Sequence, residues 1–170
     1  MDAAAHYRQL LQLGRDEFLA AAAPAALVRH RRDDPHSREG SDTVTIDANA
    51  ADETLPHTKQ PDGADLEIEV YPLSKKPGAS FPDRITIGRT SNNDVVIADH
   101  SVSRLHAYVR RVGEAWVVAD AGSKNGSWLR GETLEARRER PIMSRAILRL
   151  GDVDLTFYLA TDLFAALGGT

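Results

Sequence analysis

The sequence predicts an all-β sandwich preceded by an N-terminal helix and a disordered acidic tether. Three observations carry that expectation. From Leu66 onward, short alternating apolar and polar runs are separated by Pro, Gly, Asn or Asp at the intervals of a sandwich. Ahead of them, Tyr7, Leu10, Leu11, Leu13, Phe18 and Leu19 recur at roughly helical spacing among strong helix formers. Residues 31–63, in between, hold no aromatic side chain and only three large aliphatics, Val44, Ile46 and Leu55.

In chain order, the helix is expected over Ala3–Ala23 and ends at Pro24, which cannot continue it. Ala25–His30 is expected to be a short extended piece docked on the main domain. Residues 31–63 carry four basic and eight acidic residues, with Pro35, Pro56 and Pro61 among them. Such a segment buries too little apolar surface to offset chain entropy, hence the tether. The strand runs are Leu66–Leu73, Arg84–Gly88, Asp94–Ile97, Leu105–Val112, Ala115–Asp120, Ser127–Arg130, Ala146–Leu150 and Asp152–Leu159. A short helix over Asp162–Leu167 closes the chain. The division is therefore 1–30, helix and extension; 31–63, linker; and 64–170, folded domain.

Composition removes several function classes. The chain has 170 residues, a formal charge of −4 and no cysteine, so disulfides, thiolate metal sites and cysteine nucleophiles are excluded. Residues 64–170 hold 14 charges of each sign, which places the net charge in the tether. An acidic balance argues against nucleic acid as the partner. The longest apolar stretch, Phe18–Val28, is short and interrupted by Pro24; neither a membrane span nor a signal peptide is expected, and the setting is expected to be cytoplasmic. His6, His30, His36, His57, His100 and His106 are scattered without ligand spacing, so no metal and no cofactor are expected.

Function is sought on the connections, because strands mainly build the core. Three stand out: Gly88–Asp94, Asp99–His106 and Asp120–Ser127. If they gather at one end, they bring together Arg89, Ser103, Arg104, Lys124 and Asn125. That set suits a phosphate dianion: arginine offers paired planar donors, serine and backbone N–H groups add short-range donors, and lysine adds a point charge. Asn125, with a donor and an acceptor, suits the backbone of an extended peptide. Each residue also has a plainer reading. Asn125-Gly126 is a common hairpin turn, Gly88 a strand-end glycine, and Arg89 alone a surface arginine. Ser103-x-x-His106 invites comparison with a serine hydrolase, but no G-x-S-x-G elbow is present and no enzyme is expected.

At these residues the sequence resembles the forkhead-associated (FHA) domain family. Ile87-Gly88-Arg89, Asn93-Asp94-Val95, Ser103-Arg104-Leu105-His106 and Asn125-Gly126 follow that family's motif order and spacing, over roughly Leu66–Leu159. The resemblance implies an eleven-stranded β-sandwich that reads phosphothreonine in partner proteins. It implies Arg89 and Ser103 as principal phosphate ligands, Arg104 as a further one, and Asn125 as the peptide-backbone clamp. Gly88, His106 and Gly126 fall on architectural positions. Lys124 stands where some members carry a threonine that touches the phosphothreonine methyl.

The expected role is thus an adaptor recruiting threonine-phosphorylated proteins downstream of a Ser/Thr kinase. A phosphate-independent scaffold or protein-interaction module is the alternative, and the oligomeric state stays open. Thr43, Thr45, Thr54 and Thr58 in the acidic tether are candidate phosphosites. Thr54, which follows Asp52-Glu53, lies 12 residues before Leu66. An extended chain of that length spans about 40 Å, enough for self-docking.

Overall fold

The computed structural model describes residues 2–31, 67–78 and 81–170. Two sheets pack face to face. The first orders its strands β2-β1-β11-β10-β7-β8, from β1 (Ala25–Arg31), β2 (Glu67–Pro72), β7 (Ser127–Leu129), β8 (Glu132–Thr133), β10 (Ile147–Leu150) and β11 (Val153–Leu159). The second is β4-β3-β5-β6-β9, from β3 (Ile85–Gly88), β4 (Val95–Val96), β5 (Ala107–Val112), β6 (Ala115–Asp120) and β9 (Arg140–Ile142). All pairings are antiparallel except β3 with β4. Leu27, Ile87, Val109, Val118, Leu148, Leu155 and Phe157, all buried, fill the space between the sheets. The Trp116 ring meets Phe157 edge-on at 5.9 Å.

All eight sequence runs from Leu66 onward contain a strand. β8 and β9 were not legible: β8 is two exposed residues, and β9 contains Pro141 and Arg140, with no alternation to reveal it. Arg140 is a strand residue paired with Val118.

The N-terminal segment departs further from expectation. The single helix over Ala3–Ala23 is two, α1 (Ala3–Gln12) and α2 (Arg15–Ala21), because the chain turns at Gly14 with φ +100°, a conformation open to glycine. Ala25–Arg31 does more than dock. It is a central strand, hydrogen-bonded to β11 on one side and β2 on the other. Its unbroken apolar run Ala25-Ala26-Leu27-Val28 is buried on both faces, as such runs are in covered sheets. Ala25 and Leu27 face the sandwich core. Ala26 and Val28, with Val70, lie under Tyr7 and Leu10 of α1, Phe18 of α2, and Leu163 and Phe164 of α3 (Ala160–Ala166). Phe18 links the three helices, with ring centroids 5.7 Å from Tyr7 and 5.2 Å from Phe164.

The sandwich thus draws on both 25–31 and 67–159, and the acidic segment connects two hydrogen-bonded neighbours rather than two separate units. Arg31 and Glu67 are register partners at the end of the β1–β2 pair. The remainder of the expected tether, with Thr43, Thr45, Thr54 and Thr58, lies outside the described residues. No helix among the described residues is long and apolar enough to cross a membrane.

Candidate functional site

Three connections converge at one end of the sandwich: that after β3, that between β4 and β5, and that between β6 and β7. Arg89 from the first connection, Ser103 and Arg104 from the second, and Lys124 and Asn125 from the third line a single open cleft of about 600 Å³. The convergence inferred from the sequence is what the fold produces.

The first connection starts at Gly88, where β3 passes close under the second. A Cβ there would sit 2.6 Å from the Asn93 side-chain nitrogen and would overlap the Arg104 carbonyl. Asn93 in turn donates to the carbonyls of Arg104 (2.6 Å) and Thr90 (2.9 Å), holding the two connections together. Arg89 follows directly. Its backbone N–H donates to the Ser103 carbonyl at 3.0 Å, and its Nε to the Val102 carbonyl at 3.0 Å. With Nε engaged, the guanidinium plane is set and both Nη groups remain without a protein acceptor among the described residues.

His106 braces the other two connections. It is fully buried, its Nδ1 accepts the Ser103 N–H at 3.0 Å, and its Nε2 lies 2.9 Å from the Gly126 carbonyl. Accepting at Nδ1 and donating at Nε2 requires the neutral ring protonated on Nε2. Burial pushes its pKa down, against the opposing pull of the Gly126 carbonyl and Asp120. A protonated ring would lose the bond to Ser103. His106 is thus a strut, and Gly126 supplies its anchor.

Ser103 Oγ accepts the backbone N–H of Lys124 at 3.0 Å, so Lys124 joins the site through its backbone as well as its side chain. An accepting Oγ keeps its own proton for a ligand. Asn125 donates Nδ2 to the Ser101 carbonyl at 2.8 Å, which leaves its Oδ1 to accept from a peptide N–H. Arg89, Arg104 and Lys124 have no carboxylate partner among the described residues. Three cations, beside a serine hydroxyl and an amide and unneutralised from within, make this end of the sandwich locally positive.

Three carboxylates that the sequence reading gave no role hold these loops in shape. Asp120 accepts the amides of Gly122 (2.9 Å) and Ser123 (3.0 Å) and the Ser127 hydroxyl (2.6 Å). Burial alone would raise its pKa; the Ser123 and Ser127 hydroxyls and these amides outweigh it and hold the carboxyl below its ordinary value. Asp94 is buried likewise. Lys75 (2.7 Å) and the Thr86 and Lys76 amides offset its desolvation and lower its pKa. Asp99 accepts the Ser101 amide (3.0 Å) and hydroxyl (2.7 Å), and Arg29 of β1 reaches it at 3.3 Å. The Asp120-x-Gly122-Ser123 pattern was the available signal, since Asp followed by Gly and Ser favours an Asx turn. Nothing local marks Asp99, whose partner Arg29 is distant in sequence.

Residues 85–151 match the family model of the FHA domain. The chain carries an FHA domain. The matched span holds Gly88, Arg89, Ser103, Arg104, His106, Lys124, Asn125 and Gly126, while β1, β2, β11 and the three helices lie outside it. No curated protein matches the chain. Among solved structures, Mycobacterium tuberculosis EmbR in complex with a low-affinity phosphopeptide is 27% identical, with a TM-score of 0.46 over 54% of this chain and 22% of that one. This chain therefore spans about a fifth of the EmbR chain. The MEK1 FHA domain in complex with a HOP1 phosphothreonine peptide is 17% identical, with a TM-score of 0.47 over 81% of this chain and 98% of that one. The FHA domain of CT664 from Chlamydia trachomatis is also 17% identical, with a TM-score of 0.48 over 79% and 96%.

The Gly88 contact makes a test of the FHA domain's architecture. Gly88→Ala must push the Arg104 carbonyl away, so it is expected to lower unfolding free energy by about 1–3 kcal/mol, the range for overpacking. Urea denaturation of the variant against the parent measures this; an unchanged midpoint contradicts the close approach.

Proposed function

We propose that this FHA domain binds threonine-phosphorylated proteins and serves as a non-enzymatic adaptor in a Ser/Thr kinase pathway, in a cytoplasmic setting. The observation that carries the reading is the anchored Arg89 guanidinium. Its Nε is held by the Val102 carbonyl, and it lines one cleft with Arg104, Lys124, Ser103 and Asn125. Charge-assisted bonds from fixed donors to a phosphate dianion are strong and need no metal or reacting group. The free acceptor of Asn125 favours a peptide over inorganic phosphate, because it serves a backbone N–H rather than an anion. FHA domains are protein-interaction modules, which is consistent with a site built to hold rather than to react.

Self-docking is a second reading favoured by the topology. β1 runs antiparallel to β11, with Val28 opposite Thr156, so Arg31 lies toward the end of the sheet at which β11 starts, after the turn at Gly151 and Asp152. That turn bonds to the Gly126 carbonyl (3.0 Å) and the Ser101 hydroxyl (2.9 Å), at the cleft. Both attachment points of the acidic segment therefore sit at the cleft end of the sandwich. Phosphorylated Thr54, or Thr43, Thr45 or Thr58, would compete at high effective concentration with a partner in trans.

Calorimetric titration of the full chain tests both. The probes are a phosphothreonine peptide, its phosphoserine and unphosphorylated counterparts, and inorganic phosphate. Binding of the phosphopeptides at least about a hundredfold tighter than the unphosphorylated one is expected, a difference of about 2.7 kcal/mol. Equal binding of all the peptides overturns the reading in favour of the phosphate-independent scaffold. Kinase treatment of the chain should weaken the same titration; unaltered affinity of a threonine-phosphorylated chain rules out self-docking.

A further inference from the structure

Successive residues of β1 point to opposite faces of the sheet, and Ala25 and Leu27 point into the core between the sheets. Arg29 continues that row toward the cleft end of the sandwich. Its side chain is only 18% exposed, and a guanidinium so far withdrawn from water needs acidic partners. Nη1 lies 3.8 Å from Glu69, its register partner on β2, and Nη2 donates to Asp99 Oδ2 at 3.3 Å. Asp99 belongs to the connection between β4 and β5, strands of the opposite sheet. This ion pair therefore ties the central N-terminal strand to a cleft loop.

The two oxygens of the Asp99 carboxylate serve different groups. Oδ2 meets Arg29, while Oδ1 accepts the amide (3.0 Å) and the hydroxyl (2.7 Å) of Ser101. His100 lies 3.9 Å from Oδ1 but is almost fully exposed. Ser101 is buried and confined on its other sides: its Oγ accepts the Asp152 N–H at 2.9 Å, and a Cβ on Gly151 would overlap its carbonyl. That carbonyl accepts Nδ2 of Asn125 at 2.8 Å, the bond that leaves Asn125 Oδ1 to accept from a peptide. Val102, the next residue, is held differently. Its side chain is buried in the core, and its N–H donates to the Asp99 backbone carbonyl at 3.1 Å. The Val102 carbonyl that anchors Arg89 is thus not set by the Asp99 carboxylate.

Resting on the phosphothreonine reading, we infer that Arg29 is a positioning residue for the peptide clamp, acting on Asn125 through Asp99 and Ser101. The relay starts outside the matched span 85–151, so the N-terminal strand contributes to binding as well as to folding. Without the guanidinium, a half-buried carboxylate loses its cation and turns toward water. The Ser101 carbonyl then loses its fixed direction, and the Asn125 amide loses its own with it. A clamp that was preorganised must be ordered at the moment of binding, which costs affinity. The Arg89 guanidinium, anchored on Val102, lies on a separate branch.

The experiment is a double-mutant cycle on the full chain, with calorimetric titration of a phosphothreonine peptide and a thermal melt of each variant. Arg29→Met is expected to weaken binding about fivefold and Asn125→Ala about tenfold, the range of one hydrogen bond. Because the first acts through the second, the combined variant should bind within about twofold of Asn125→Ala alone. Arg29→Met combined with Arg104→Gln, which lies off the relay, should show the two losses multiplied. Arg29→Lys keeps a cation at Asp99 and should recover part of the affinity. Asp99→Asn reads the same link from outside β1, and should be equally non-additive with Asn125→Ala even where Arg29→Met fails to fold. Losses that multiply in the cycles with Asn125 overturn the relay and leave Arg29 a structural ion pair. Parent affinity in both Arg29→Met and Asp99→Asn does the same, and either result leaves the phosphothreonine reading standing. Failure of the parent to bind any phosphothreonine peptide overturns that reading itself, and the relay's role with it.

Discussion

Arg89→Ala is expected to bind a phosphothreonine peptide at least about a hundredfold more weakly than the parent chain. Two Nη groups are available to the ligand, and hydrogen bonds to charged groups contribute about 1.5–3 kcal/mol each. Losing both removes roughly 3–6 kcal/mol, or about two to four orders of magnitude in affinity. The fold should survive, because Arg89 is exposed and loses only the Nε bond to Val102; its backbone bond to the Ser103 carbonyl needs no side chain. Arg89→Lys sharpens the test. It keeps the charge but cannot bond Val102 and present two further donors in one plane, so it should recover only part of the loss. Calorimetry gives the affinities, and thermal unfolding checks the fold. Equal affinity of Arg89→Ala and parent sinks the assignment of the cleft.

A fragment of residues 64–170, the division that composition suggests, is expected not to fold cooperatively. It lacks β1, so β2 loses its partner and β11 loses its outer neighbour. It also lacks α1 and α2, which cover Ala26, Val28 and Val70. Tyr7, Leu10, Phe18, Leu27 and Val28 are all at most 6% exposed. At about 1.5–3 kcal/mol for each buried side chain, their removal costs on the order of 10 kcal/mol, comparable to the whole stability of a small domain. The contrasting variant keeps residues 1–31 and shortens the acidic segment. Closing a shorter loop changes the entropy only logarithmically, so its midpoint should stay within a few degrees of the parent. Circular dichroism melts decide it: a cooperative transition of 64–170 near the parent midpoint contradicts the central role of β1.

Both predictions turn on the difference between local and distant information. The cleft-lining groups were legible because each sits within a short motif whose chemistry is its own. Arg89 follows Gly88 at a strand end, Ser103-Arg104 lies three and two residues before His106, and Asn125-Gly126 makes a turn. The supports were partly hidden. Asp120 is recognisable from Gly122 and Ser123 just after it, whereas Asp99 depends on Arg29, far away in the sequence.

Helical spacing, strand alternation and turn residues are properties of neighbours, so the sequence by itself determined most of the strands, the N-terminal helical character and the set of side chains that line the cleft. What Ala25–Val28 would do was not a local matter. An apolar tetrapeptide is equally compatible with a docked extension and a central strand. Only the tertiary structure decided between them, because burial on both faces requires β2, β11 and three helices to be in place at once. The same closure sets Arg31 opposite Glu67, since strand order, not sequence distance, decides which ends of the strands meet.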